Sequence, residues 1–322
     1  MGWFRTCSAT SPLLVLLGAL TAGCAGAPRK LVDATVDGGS EVRWLAGDSL
    51  LAVALLGRGV AVVDAASGEE RAAWRSPTLP SHSAHGLAVS AGGETLAVAT
   101  EDSVRVLRSR DAALLRAAPG GGQSMALSGD GQLLAWSDGT FGRTLDTHDG
   151  HILWQGEMHA GRNALAWSPA SGWFAWTESR RIVFLGPDST LAGELGPFLE
   201  AHPSQIAFSG SGQMLAVAES TEFVSFWDTH AHVMRWRLQL AGAARFERMA
   251  LSSDTWYLAT AFEGRARILW AYTGHRVADW SPHAGAAVRD LAFSRDGRRL
   301  ATVGADGHLR IWAVPPPRRE RR

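Results

Sequence analysis

A Leu-Ala pair recurs along this chain at Leu51-Ala52, Leu96-Ala97, Leu134-Ala135, Leu215-Ala216, Leu258-Ala259 and Leu300-Ala301, and Phe174-Ala175 completes the series. The copies lie 38 to 45 residues apart. Self-similarity at this period restricts a chain to a propeller or an array of small units, because one unit cannot bury its own faces and must stack on the next.

The register holds inside each copy. In the best-formed one, Leu291–Trp312, three short apolar strands (Leu291–Ser294, Leu300–Val303, Leu309–Trp312) are cut by two polar turns. Ser294-Arg295-Asp296-Gly297 and Gly304-Ala305-Asp306-Gly307 supply Asp and Gly, which tolerate the positive φ of tight hairpins. The upstream serine repeats at Ser90, Ser128, Ser168, Ser209 and Ser252. Twelve residues past the Leu stand Val63, Trp227, Trp270 and Trp312; in the other copies, eleven residues lead to Leu107, Leu145 and Leu185. A further tryptophan follows each of four later turns, at Trp74, Trp154, Trp236 and Trp280, on a fourth strand. Copy one reads as Glu41–Leu45, Leu50–Leu56, Val60–Ala65 and Glu70–Ser76. Short strands with turns every 8–12 residues indicate an all-β fold. We label the strands of each copy a, b, c and d.

Copy seven ends after its third strand, because Pro315–Pro317 lack backbone donors and terminate a ladder. Its missing fourth strand is expected from the other end of the chain, at Leu31–Val36, which would pair an otherwise open edge. The alternative leaves that segment within an N-terminal tether.

Four-stranded units of this length, with Trp227-Asp228 closing a third strand and Ser-x-Asp-Gly turns, resemble WD40 repeats, and seven of them resemble a seven-bladed β-propeller with four antiparallel strands per blade. The resemblance covers residues 41–314. It implies a hydrogen-bonded tetrad of a His before strand a, a Ser or Thr in strand b, an Asp in the b–c turn and the strand-c Trp. Copy seven matches at His283, Thr302, Asp306 and Trp312. The pattern also departs from the family's: in copy seven itself the usual Gly-His is Pro282-His283, copy six has Gly264 at the Asp position beside Thr260 and Trp270, and copy five has Thr221. Packing between sheets, with tryptophans as apolar wedges, is expected to hold most blades.

The first 24 residues belong to a different class of segment. Arg5 precedes an apolar run, Leu13–Leu20, that ends in Thr21-Ala22-Gly23-Cys24, as an export signal does. The Ala-Gly-Cys ending resembles the lipobox of bacterial lipoproteins, although Thr21 stands where that family prefers Leu. The resemblance implies cleavage before Cys24 and lipidation of its thiol. An ordinary signal peptide or an uncleaved anchor over residues 6–28 are the alternatives. Cys7 would leave with the signal, so the mature chain would hold one cysteine and no internal disulfide. The expected organisation is a signal peptide over residues 1–23, a lipid-anchored tether and closing strand over 24–40, a propeller over 41–314 and a Pro/Arg-rich tail over 315–322.

Composition bears on partners. Equal numbers of acidic and basic residues, 31 each, give no bias toward nucleic acid, and no nucleic-acid partner is expected. Lys30 is the only lysine, which excludes a phosphate-loop or Schiff-base lysine from the core.

Several groups carry side chains suited to chemistry. Asp228, His230 and His232, and Asp146, His148, Asp149 and His151, could contribute to a zinc site, but both sets fall at c–d hairpins and neither supplies three or four clear ligands. No metal and no cofactor are expected. His82, His85, His159, His202 and His283 would lie near one rim and could bind a ligand or sense pH; the tetrad is the structural account of His283. Gly120-Gly121-Gly122 lacks a following helix or lysine and reads as a loop, and Glu69-Glu70 reads as a hairpin tip. Arg318, Arg319, Arg321 and Arg322 read as a chain end able to touch anionic lipid or an acidic partner. The expected function is a non-catalytic protein–protein interaction scaffold, exported and anchored to the inner or outer membrane through Cys24, with an unidentified envelope protein as partner. The competing expectation is a propeller enzyme or small-ligand sensor, of hydrolase or oxidoreductase type, using the central channel.

Overall fold

The computed structural model describes residues 27–56, 58–75, 86–100, 102–122, 124–157, 164–169, 171–186, 188, 190–196, 203–219, 223–239 and 246–316. They form seven four-stranded antiparallel sheets arranged as a seven-bladed β-propeller. Six sheets run in simple chain order. The seventh has the order N-terminal strand, c, b, a: Lys30–Thr35 pairs with His308–Ala313. The closing strand read at Leu31–Val36 therefore joins the two ends of the chain. Val36 N continues the pairing by donating to Gly307 O at 2.7 Å.

The core is divided among seven interfaces, one between each pair of adjacent blades, and this explains the Leu-Ala signature. A strand b covered on both faces alternates its side chains between two neighbours. In every blade the Leu (Phe in blade four) packs toward the preceding blade and the Ala toward the following one. Leu96 joins the cluster between blades one and two, where it meets Ala52. Leu134 lies with Ala97, Phe174 with Ala135, Leu215 with Ala175, Leu258 with Ala216, Leu300 with Ala259, and Leu51 closes the circle with Ala301. Each interface thus sets a large side chain against a small one, which lets curved sheets interdigitate without voids. Burying each Leu contributes about 1.5–3 kcal/mol.

The strand-d tryptophans reach across to the next blade. Trp236 donates Nε1 to Ala271 O at 2.7 Å, Trp154 meets Trp176 edge-on at 6.0 Å, and Trp280 meets Trp312 at 5.7 Å. The a–b turns depart in one respect from the sequence expectation. Positive φ falls on Gly297 (68°), Gly131 (75°) and Gly212 (69°), on Thr255 (64°) in blade six and on Asp48 (54°) in blade one, while Asp296 and Asp254 act through their side chains. Ser294 Oγ donates to Asp296 at 2.6 Å and accepts from Arg299 N at 2.9 Å; Ser252 Oγ does the same with Asp254 and Tyr257 N. These serines are buried, which accounts for their recurrence.

Candidate functional site

His283 precedes strand a of blade seven (Val288–Phe293), Thr302 lies in strand b (Arg299–Gly304), Asp306 in the b–c turn and Trp312 in strand c (His308–Ala313). The fold brings all four together. Trp312 Nε1 lies 3.0 Å from Thr302 Oγ1, Thr302 Oγ1 is 3.0 Å from His283 Nε2, and His283 Nδ1 is 2.8 Å from Asp306. The indole only donates, so Trp312 Nε1–H donates to the Thr302 hydroxyl, while His283 Nδ1 faces both the Asp306 carboxylate and Arg310 Nη1, the latter at 2.6 Å, and the roles of the two ring nitrogens follow from the tautomer. Burial pushes the His283 pKa down, against the pull of Asp306. Gly304 makes room for the ring: a Cβ there would stand 2.3 Å from His283 Cγ and Nδ1.

Two members of this network were not read from the sequence. Arg310 donates to Asp306 at 2.5 Å and to Asp33 of the N-terminal strand at 3.0 Å. Asp33 also accepts from His308 Nδ1 at 2.8 Å and Lys30 Nζ at 2.7 Å. Although burial raises it, these hydrogen bonds hold the Asp33 carboxyl down at about 2. Asp306 is likewise held below its ordinary value by Arg310 and His283, against burial. The tetrad is therefore continuous with the seam between the chain's two ends. The role of Arg310 in this seam carried no motif, because Asp33 is 277 residues distant.

Blade six corrects one alignment. Leu258 pairs with Leu269, eleven residues on, and Trp270 pairs with Tyr257 and stacks on it at 5.0 Å. The turn at Gly264 is one residue shorter than that of blade seven, so Trp270 does not occupy the position of Trp312. Thr260 Oγ1, buried at the register of Thr302, accordingly has no hydrogen-bond partner among the described residues. In blade five, Trp227 donates to Ser225 Oγ at 2.8 Å instead. Thr221, His82, His85, His159, His202, Cys24 and the arginines of the tail lie outside the described residues.

The inner strands hold a second constellation that sequence reasoning missed. Strand a is apolar in blade two (Gly86–Val89) and blade four (Leu165–Trp167), but in blades one, five, six and seven it carries polar groups. Asp290 accepts from Val42 N of blade one at 2.9 Å, and Glu41 accepts from Leu87 N of blade two at 2.8 Å. Gln205 accepts from Met249 N of blade six at 3.0 Å, and Glu247 from Val288 N of blade seven at 3.1 Å. Each latches one blade to the next beside the channel.

Arg43 sits among them. At its register Ala88, Ala126, Ala166, Ala207, Ala250 and Ala292 pair with the strand-b alanines, and only blade one has a charged residue there. Arg43 donates to Asp290 at 2.5 Å and approaches Glu41 at 3.5 Å. Burial, outweighing Arg43 and reinforced by Asp290, pushes the Glu41 carboxyl up to about 7. The signal available in the sequence was the alternation of charge within Glu41-Val42-Arg43 and Arg289-Asp290.

The remaining candidates separate. His230 and His232 line a cavity of about 380 Å³ between blades four and five, with Trp173, Phe184 and Phe208 as aromatic walls. Asp228 turns away to Arg235, at 2.5 Å, and to the backbone of His230 and Ala231. Among the described residues no three His, Cys, Asp or Glu side chains are grouped to hold a metal. Glu70 pairs with Arg75 at 2.7 Å, and Gly120 faces Arg143. No helix among the described residues is long and apolar enough to cross a membrane.

Comparison with known proteins agrees with this geometry. A model of the WD domain, G-beta repeat (WD40), matches residues 272–313. That span runs from the c–d turn of blade six to the end of strand c of blade seven and contains the whole tetrad. Among solved structures 1839 chains match, a number too large to single out a function. One is the β-propeller domain of Cps50 (Swd1) from Myceliophteria thermophila: it is 13% identical, the match covers 89% of this chain and 100% of that one, and the TM-score is 0.78. At that identity the likeness carries the fold alone. No curated protein matches the chain.

Proposed function

We propose that this chain is an exported, lipid-anchored propeller that binds protein partners in the bacterial cell envelope without catalysing a reaction. One observation carries the interaction reading. Two convergent polar constellations among the described residues spend their hydrogen bonds on the ring itself, the one around His283 within blade seven and the one around Asp290 between blades seven and one. What a rigid ring then offers to other molecules is its loops and edges. Propellers with WD-type repeats typically mediate protein–protein contacts, and the resemblance at residues 272–313 supports extending that to this chain. Partner contact is assigned to the end formed by the d–a and b–c connections. The leader resembling a lipobox supports anchoring through Cys24.

The channel reading keeps one observation in its favour: Glu41 and Arg43 stand at the wall with an unusual carboxyl. Crosslinking in intact membranes followed by affinity capture of the native chain and of Cys24→Ala distinguishes the readings. Stable partners recovered with the native chain, acylation of Cys24 by intact mass, and unchanged capture by Glu41→Gln are expected. Capture of no protein, together with turnover or ligand binding abolished by Glu41→Gln, would transfer the assignment to the channel. A Cys24→Ala chain that keeps its leader and stays in membranes would replace the lipid by an uncleaved anchor.

A further inference from the structure

The exposed apolar surface lies almost entirely at one end of the ring. Among the described residues twelve large hydrophobic side chains are exposed. Leu56, on the b–c turn of blade one, is the exception; the other eleven are at the end formed by the a–b and c–d turns. Eight stand within the first three residues of an outer strand, and Trp173, Trp256 and Tyr272 stand in the turns themselves.

The outer-strand residues follow the register. Leu114, Ile152, Leu191 and Met234 pair with equivalent strand-c positions in blades two to five and are 53%, 43%, 67% and 46% exposed. At the same position blade one has Glu70 and blade six Arg276. Further along these outer strands Arg116, Gln155, Glu194 and Gln239 face water beside small apolar groups such as Ala117 and Pro119, so the run of large apolar side chains is a local property. Isolated exposed hydrophobics need no account, but a register-matched run over four consecutive blades marks a contact surface.

The course of the chain indicates what covers it. The N-terminal strand enters at this same end: Lys30 pairs with Trp312, and Ala313 N donates to Arg29 O at 2.9 Å. Cys24 stands six positions before Lys30, and six residue steps reach at most about 20 Å when extended. A lipid on Cys24 would hold this end of the ring against the bilayer. Its exposed turn aromatics are Trp and Tyr, the residues that favour the membrane–water interface. We infer that the a–b/c–d end of the propeller seats on the lipid surface, its apolar rim among the headgroups, leaving the d–a/b–c end turned outward for partners. The inference rests on the lipid-anchor reading above. Exposed carboxylates at the same end, such as Asp111, Asp149 and Asp254, are balanced by exposed arginines, such as Arg110, Arg295 and Arg298, so neither sign dominates and the contact is apolar in character, without need of anionic lipid.

The test uses the full acylated protein in phosphatidylcholine vesicles, with a bimane label at Thr273→Cys on the c–d turn of blade six or at Thr140→Cys on the b–c turn of blade three. Lipids carrying a shallow nitroxide are expected to quench the Thr273 label several-fold more than the Thr140 label, equally with or without added phosphatidylglycerol. Leu191→Glu combined with Met234→Glu and Trp256→Glu should keep the vesicle-bound, acylated protein while abolishing the difference. Equal quenching at the two labels in acylated, vesicle-bound protein refutes the seating and leaves the anchor intact. Absence of the acyl mass refutes the anchor and the seating together. A photocrosslinker at residue 273 that captures a protein in cells, without lipid quenching, assigns this end to a protein partner and overturns the inference.

Discussion

Thr260 and Thr302 occupy the same register of adjacent blades and are both fully buried, yet replacing each by Val should have opposite consequences. Val is nearly the same shape, and Val53, Val98 and Val217 already stand at this position in other blades. The comparison therefore isolates the hydroxyl. In Thr302→Val, Trp312 Nε1 and His283 Nε2 both lose their 3.0 Å partner while remaining buried. A buried donor or acceptor left unsatisfied costs about 1–3 kcal/mol, so the pair should cost about 2–4 kcal/mol after partial relaxation. For a chain of this size that lowers the melting temperature by roughly 3–6 °C. In Thr260→Val a hydroxyl without a partner is exchanged for a methyl, which should be neutral or stabilising by up to about 1 kcal/mol. Thermal melting by circular dichroism, with urea unfolding as a second measure, reads both. Equal losses in the two variants would show that the hydroxyl network contributes nothing specific to blade seven and would refute the argument.

Asp306→Ala should destabilise by about 2–3 kcal/mol, because charge-assisted bonds from His283 and Arg310 are lost, and Asp306→Asn should recover part of it; melting within a degree of the native chain would count against the tetrad. Gly304→Ala should be at least as damaging, since its methyl would enter the His283 ring space, and refolding yield and melting would report it. The Asp33 carboxyl, held down at about 2, contributes stability that is present above its ordinary value and is lost as pH falls from about 4 through 2. Asp33→Asn should remove about 1–2 kcal/mol of that acid dependence, allowing for the 29% exposure of the side chain, and an unchanged acid limb in urea titrations would refute it. Glu41 has the opposite sign: its raised carboxyl favours the folded state at low pH, and that advantage fades as pH rises from its ordinary value through about 7. Glu41→Gln should therefore melt higher than the native chain at pH 8 and lose this gain at pH 5, and a pH-independent difference would argue against it.

The seven-fold architecture was legible in the residues because each blade must solve the same packing problem. A strand covered on both faces needs one large and one small residue facing opposite neighbours, and Leu-Ala repeated six times, with Phe-Ala once, states that requirement locally. The serine turns were legible for a similar reason, since a buried hydroxyl binds groups two and five residues away. The tetrad lies within thirty residues of chain, so its members could be named before their distances were known. The inner latches and the closing seam were not, because Asp290 and Val42, or Asp33 and Arg310, are separated by most of the sequence. Blade six shows the limit from the other side: a one-residue difference in turn length moved Trp270 off the register that counting had assigned to it. The amino acids by themselves determined that small sheets would repeat and stack, because periodic burial is a local property. Which charges meet, and which end of the ring carries exposed apolar surface, was decided only by closing the circle, because those contacts depend on how distant segments turn toward one another.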